Sequence, residues 1–230
     1  MMRVVLVTGA NRGIGQELAR QLALRGDVVV LTARDLGKAE RAAAALPGHE
    51  RVLARRLDVT NPASIERVAA DLDHRYGRLD VLVNNAASHY DTWQQASTAD
   101  LQIVREALEV NLLGAWQTSL TLLPLLRSSG HGRIVNVSSE AGSLASMDGG
   151  TPAYTLSKAA LNALTRLLAG ELARDRILVN AVCPGWVATD MGGPGGRPVA
   201  EGAASVLWAV DLPDDGPTGG FYRDGRPLPW

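Results

Sequence analysis

Seven apolar runs, at 3–8, 28–32, 51–57, 79–83, 133–137, 177–182 and 220–222, alternate with helical patterns at 14–25, 36–46, 62–76, 99–127, 153–174 and 200–209. Most of the runs are continuous and lack the period-2 alternation of a strand with one wet face. Strands read this way when helices cover both faces of a parallel sheet. Strand, helix, strand at this interval builds right-handed βαβ units. The expected fold is α/β, a Rossmann-type doubly wound parallel sheet of about seven strands with helices on both faces. A chain of 230 residues suits a single such domain over 1–230, with its binding sites inside it.

Charge gives no reason to invoke nucleic acid or a membrane surface. The formal net charge is −1, and the basic residues are scattered along solvated helix faces. A single cysteine, Cys183, excludes an internal disulfide and suits a reducing compartment. No His or Cys stands in ligand spacing, so no metal is expected. No window approaches the roughly 20 apolar residues of a spanning helix, and the first apolar run is too short for a signal peptide. A cytoplasmic location is the resulting expectation. The Gly/Pro-rich stretch "MGGPGGRP" (191–198) reads as a mobile loop within the domain.

The first run leads into "TGANRGIG" (8–15), with a helix starting at its last glycines. Gly9 allows a tight turn, Gly13 lets backbone approach a pyrophosphate, and Gly15 permits close packing of helix on strand. The helix N-terminus offers unpaired N–H groups and partial positive charge. No Gly-Lys-Ser/Thr follows, which disfavours a P-loop. At the end of the second strand an acidic residue would select NAD through the ribose 2′-hydroxyl. Ala33 and Arg34 stand there instead, and Arg12 lies in the glycine turn. The two guanidiniums suit a 2′-phosphate, and hence NADP over NAD, unless they are ordinary surface arginines. Asp35 reads as the cap of the next helix.

In "YTLSK", Tyr154 and Lys158 are one helical turn apart. An ammonium beside a phenol favours phenolate and is expected to lower the Tyr154 pKa from its reference of about 10. Such a tyrosine exchanges a proton with a carbonyl or alcohol oxygen near neutral pH. Ser138 and Ser139, at the end of the strand 133–137, can hydrogen-bond the same oxygen.

With these motifs in order, the chain resembles a short-chain dehydrogenase/reductase over nearly its whole length. "TGANRGIG", "LDVT" (57–60), "LDVLVNNAA" (79–87), Asn111 in "VNLLG", "IVNVSSEAG" (134–142), "YTLSK" and "VNAVCPGWVATDM" (179–191) carry the resemblance. "LTARD", "PGWVATDM" and "DDGPTGGFYRDGRPLPW" (214–230) are similar to the carbonyl-reductase branch. The resemblance implies NADPH-dependent reduction of a small ketone, aldehyde or quinone. In that reading Tyr154 is the general acid/base, and Lys158 lowers its pKa and binds the nicotinamide ribose. Ser139 polarises the carbonyl and is preferred to Ser138. Asn111 interrupts the helix 99–127 and holds a water linking Lys158 to solvent. Gly9, Asn11, Arg12, Gly13, Ile14, Gly15, Arg34, Asn85, Ala86 and Ala87 contact the cofactor. Asp58 and Val59 contact its adenine, Asp58 serving alternatively as a strand-end cap. Pro184, Gly185, Val187 and Thr189 line the nicotinamide side.

Asn84 and Asn85 are expected to tie the end of the fourth strand to its neighbours, and the small residues after them to admit cofactor. The family usually has glycine where Ala87 stands, and its methyl is tolerated if φ is negative. His89, Tyr90 and Trp93 are pocket wall or plain surface; Met147, Trp186 and Met191 would make the pocket apolar. Some monomeric relatives carry a long insertion before the catalytic tyrosine, where this chain has only "SLASMDGGTPA". Helices 99–127 and 153–174 are then free to pair in a homodimer or homotetramer. Within enzymes the alternatives are an NAD(P)-dependent alcohol dehydrogenase or a biosynthetic ketoreductase. Outside them stands a non-catalytic NADP-sensing regulator, against which the intact Ser139–Tyr154–Lys158 set argues.

Overall fold

The computed structural model describes residues 2–230. Eight strands form one sheet: β1 (Val4–Val7), β2 (Val28–Ala33), β3 (Val52–Arg56), β4 (Val81–Asn84), β5 (Arg133–Val137), β6 (Leu178–Val182), β7 (Phe221–Arg223) and β8 (Arg226–Pro227). Their order is β3-β2-β1-β4-β5-β6-β7-β8, parallel except for β8, which runs antiparallel to β7. The direction of winding reverses between β1 and β4, so the crevice for a ligand opens at their carboxyl ends.

Helices α1 (Gly13–Leu24), α2 (Leu36–Ala44) and α7 (Val199–Val210) bury one face of the sheet, and α3 (Pro62–Tyr76), α5 (Ala115–Ser129) and α6 (Pro152–Leu172) the other. This double cover explains the uninterrupted valines of β1 and β2: both faces are dry. Local chemistry sets the helix ends. The Asp35 side chain accepts from Lys38 N and caps α2. Asn61 accepts from Ser64 N and caps α3, whose first residue is Pro62 and whose end is the left-handed Gly77.

Two elements differ from the sequence reading. The sheet has eight strands rather than seven, because Asp224 and Gly225, with φ 51° and 74°, form a tight hairpin between β7 and the two-residue β8. The helix 99–127 divides into α4 (Leu101–Leu108), a π-helical turn (Glu109–Gly114) and α5. Two close contacts occur at the π turn: Asn111 is bonded across to neighbouring elements, and a Cβ on Gly114 would lie 2.7 Å from Val59 Cγ2. The 191–198 stretch is folded back on itself by bridges pairing Val187 with Arg197 and Thr189 with Gly193. Among the described residues no helix is long and apolar enough to cross a membrane, and no cluster of His, Cys, Asp or Glu could hold a metal.

Candidate active site

The glycine turn is built against the end of β4. Gly9 is left-handed (φ 63°), and a Cβ there would meet Ala86 Cα at 2.9 Å; a Cβ on Gly15 would meet Asn85 Nδ2 at 2.5 Å. The Asn85 amide donates to the carbonyls of Thr8 and Gly9 at 2.9 and 3.1 Å. The Thr8 hydroxyl accepts from the backbone N–H of Asn85 and of Ala86. Asn84 instead points into the core, donating to Asn136 Oδ1 and Ser119 Oγ. So the paired amides join β1, β4, β5 and α5. Ala87 keeps a negative φ, which accommodates its methyl; His89 is the residue that goes left-handed, at φ 59°.

One crevice of about 410 Å³ opens on these strand ends. From the glycine turn, Gly9, Asn11, Arg12, Gly13, Ile14 and Gly15 line it; Arg34, Asp58 and Val59 come from the ends of β2 and β3, and Asn85, Ala86 and Ala87 from β4. Tyr154, Lys158, Pro184, Thr189 and Met191 complete the sequence-derived set that the crevice gathers. Arg34 has no ion-pair partner among the described residues, whereas Arg12 Nη1 lies 2.8 Å from Asp190 Oδ2. The Asp58 carboxylate also accepts from Thr60 N and Oγ1, closing the turn after β3.

Several expected residues lie elsewhere. Gly185 and Val187 are absent from the crevice wall. Gly185 turns with φ 80° against Arg197, and Val187 is buried against Gly202 of α7. Of the expected substrate-pocket residues, His89, Trp93, Ser139, Met147 and Trp186 are also outside it, and Ser138 lines it in place of Ser139. Trp93 is 68% exposed, and Met147 is half-buried in the segment before α6. The Trp186 indole N–H donates to the Gly192 carbonyl at 2.7 Å, turning the ring outward; His89 Nε2 lies 3.3 Å from Glu106. Conversely, the sequence reading assigned no role to Val110, Val137 or Val199, all of which line the crevice.

The two serines are separated by their bonds. Ser138 donates to Asn162 Oδ1 at 2.6 Å inside the core. Ser139 is half-buried, accepts from Ala141 N at 3.2 Å and stands beside the Tyr154 phenol. Asn111, in the π turn, uses both amide hydrogens on protein, to Ser88 O and Ser157 Oγ, and accepts from Ser88 N. Asn111 thus braces β4, the π turn and α6, and a water there would meet its oxygens rather than its amide hydrogens.

The expected effect of Lys158 on Tyr154 is also corrected. Lys158 is on the same face, with Nζ 5.5 Å from the Tyr154 ring centroid, but it donates to the Val137 carbonyl at 2.7 Å. Burial dominates the phenol and raises its pKa above the usual value, while the neighbouring Ser139 hydroxyl works the other way. Burial likewise pushes the Lys158 ammonium down to about 8. Desolvation outweighs the attraction that the spacing suggested.

Crevice, glycine turn and Ser–Tyr–Lys group are those of a dinucleotide-dependent enzyme on a doubly wound sheet. Residues 3–197 match the short chain dehydrogenase family, and the chain belongs to it. It is 35% identical to bovine carbonyl reductase [NADPH] 1, over 99% of this chain and 98% of that one. It is 34% identical to salutaridine reductase of Papaver bracteatum, over 96% and 94% of the two chains. The solved structure of an NADPH-bound carbonyl reductase from chicken fatty liver superposes with a TM-score of 0.88 at 32% identity, covering 100% of this chain and 99% of that one.

Proposed function

We propose that this protein is an NADPH-dependent reductase of small ketones, aldehydes or quinones, with both sites in one domain over 1–230. The observation that carries the reading is the meeting of Tyr154, Lys158 and the glycine turn in one crevice, with Ser139 beside Tyr154. The residues present fit the cofactor. A Cβ at Gly9 would collide with Ala86, so the turn stays bare backbone at the N-terminus of α1, where pyrophosphate is favoured. Arg34 and Arg12 stand at the crevice edge for a 2′-phosphate. When bound, the nicotinamide supplies the hydride.

Ser139 and Tyr154 hold the carbonyl oxygen, and Tyr154 delivers the proton to it. Tyr154 is protonated at neutral pH before the reaction, as a donor must be, and its burial makes the phenol a weaker acid than a free tyrosine. Lys158 fixes the floor of the site through Val137 and offers a cation to the nicotinamide ribose. Asn111 braces Ser88 and Ser157 around them. Met191 supplies apolar wall at the substrate end, and Tyr90 packs on the Tyr154 ring. α5 and α6 are proposed to pair two copies of the chain. Tyr154→Phe tests the mechanism with a carbonyl panel and NADPH oxidation followed by absorbance. Turnover is expected to fall by roughly 10²–10⁴-fold with NADPH binding retained; equal turnover in the variant sinks the assignment.

A further inference from the structure

The N-terminus of α6, which carries Tyr154, is capped from an unexpected place. Its own N-cap residue, Thr151, is left-handed at φ 46° and makes no side-chain cap. The first N–H groups of the helix are met instead by Asp91, more than sixty residues earlier in the chain. Asp91 Oδ1 accepts from Tyr154 N at 3.0 Å and Oδ2 from Ala153 N at 2.9 Å. Asp91 has 0% exposure, and its third bond comes from Gln94 Nε2 at 3.0 Å. Gln94 in turn accepts from Asp100 N, where Asp100 caps α4.

The neighbouring residues act on the same target. Tyr90 sets its ring edge-on to the Tyr154 ring, centroids 5.1 Å apart at 87°. His89 takes a left-handed conformation that favours glycine, so the chain accepts strain immediately before this contact. Ser88, on the crevice wall, is clamped at both its N–H and its carbonyl by Asn111. Consecutive residues therefore fix the crevice wall, the ring of Tyr154 and the backbone of Tyr154.

We infer that Asp91 is a positioning residue for the proton donor, locking Tyr154 to the substrate-side segment 88–91 so that its hydroxyl stands beside Ser139. This rests on the reading of Tyr154 as proton donor. A helix cap of ordinary kind contributes stability alone. Asp91 differs because one of its oxygens binds the donor residue's own N–H and because the adjoining tyrosine holds the donor's ring. A small displacement of a reacting group costs far more in turnover than in binding. The glycine turn and Arg34 bind cofactor through other elements, so cofactor affinity should be indifferent to Asp91.

The test compares Asp91→Asn and Asp91→Ala with Asn61→Ala, which removes the side-chain cap of α3 and keeps the backbone bond from Asn61 N to the crevice residue Asp58. Asparagine keeps one acceptor for Tyr154 N but turns its NH₂ toward Ala153 N. Expected losses in kcat are roughly tenfold for Asp91→Asn and hundredfold for Asp91→Ala, with NADPH Kd and substrate KM changed less than about threefold. Asn61→Ala is expected to lower Tm and leave kcat at the wild-type value. If Asp91→Ala does not fold, Asp91→Asn carries the test. If neither folds, Gln94→Leu does: it leaves both Asp91 bonds to α6 in place and removes the third bond to Asp91 together with the acceptor for Asp100 N, and a severalfold loss of kcat is expected. Variants that bind NADPH and lose Tm, yet retain wild-type kcat well below Tm, reduce Asp91 to a cap and overturn the inference. Tyr154→Phe made alongside separates the two ideas: activity retained there overturns the proton-donor reading, whereas activity lost there but kept in the Asp91→Asn variant overturns this inference alone.

Discussion

Lys158 is 2% exposed, and its only polar contact among the described residues is the Val137 carbonyl. A buried ammonium without a carboxylate is held at a cost, which its depression from 10.5 to about 8 expresses. That depression corresponds to about 3 kcal/mol. Between about pH 8 and 10.5 the unfolded chain binds a proton at this lysine that the folded chain has released, so stability rises with pH across that window. The raised pKa of Tyr154 works in the opposite sense, but only once the unfolded phenol ionises, above about pH 10. Lys158→Met removes the buried charge and leaves the Val137 carbonyl unpaired, at a cost of about 1 kcal/mol. The variant is therefore expected to be inactive and, at pH 7, roughly 2 kcal/mol more stable than wild type, which is roughly 4–8 °C in Tm for a chain of this size. The gap should shrink as the pH is raised from 8 toward 10. Thermal melts across that range check it; a variant less stable at pH 7 would show that Lys158 is held favourably.

At the scale of elements, the glycine turn and the end of β2 set cofactor preference. Arg34 meets solvent with no counter-ion, while Arg12 is shared with Asp190 of the segment after β6, across the crevice mouth. Arg34 is thus the guanidinium free for a 2′-phosphate. Arg34→Ala is expected to weaken NADPH binding roughly ten- to hundredfold, as the loss of a charge-assisted pair predicts, and to leave NADH binding unchanged. Fluorescence titration with the two cofactors decides it: equal losses for both would move the phosphate elsewhere.

The elements that sequence made legible are those encoded locally. Continuous valine runs announced the buried strands, the spaced glycines the phosphate turn, and Pro62 after Asn61 the start of α3. What sequence hid depends on distant partners. Nothing near Asp91 signals that its carboxylate caps a helix sixty residues on. Val187 and Gly185 sit among crevice-lining residues in sequence, yet packing on Gly202 and Arg197 turns them away. The Tyr–Lys spacing was readable, but the sign of the phenol's shift was not, because burial is a property of the whole fold. The hairpin of β7 and β8 did have a signal, Asp-Gly between Arg223 and Arg226, that a two-residue strand made easy to pass over.

On the scale of the molecule, two helices bury one side against the sheet and leave apolar residues outside. Leu113, Trp116 and Leu120 fall on one stripe along the π turn and α5. Leu156 and Leu167 bound a second stripe on α6, with Ala160 and Ala163 between them. Leu120 is 49% and Leu167 67% exposed. Aligned stripes of this kind on a monomer mark an interaction surface. A second copy is the partner the composition suits: the faces are apolar and small-residue-rich, without the charge that would select a dissimilar protein, and two-fold pairing matches each stripe with itself. The alignment with bovine carbonyl reductase runs over 277 positions against 230 residues here, so at least 47 of them have no counterpart in this chain. Only a short segment precedes α6, and nothing in it covers the stripe. Light scattering after size exclusion is expected to show a dimer or larger assembly at micromolar concentration. Leu120→Glu with Leu167→Glu should shift it to monomer, since a stable interface needs about 800 Å² per partner and tolerates no unpaired charge at its centre. A wild-type chain that elutes as a monomer, or a double variant that stays assembled, removes α5 and α6 as the joining surface.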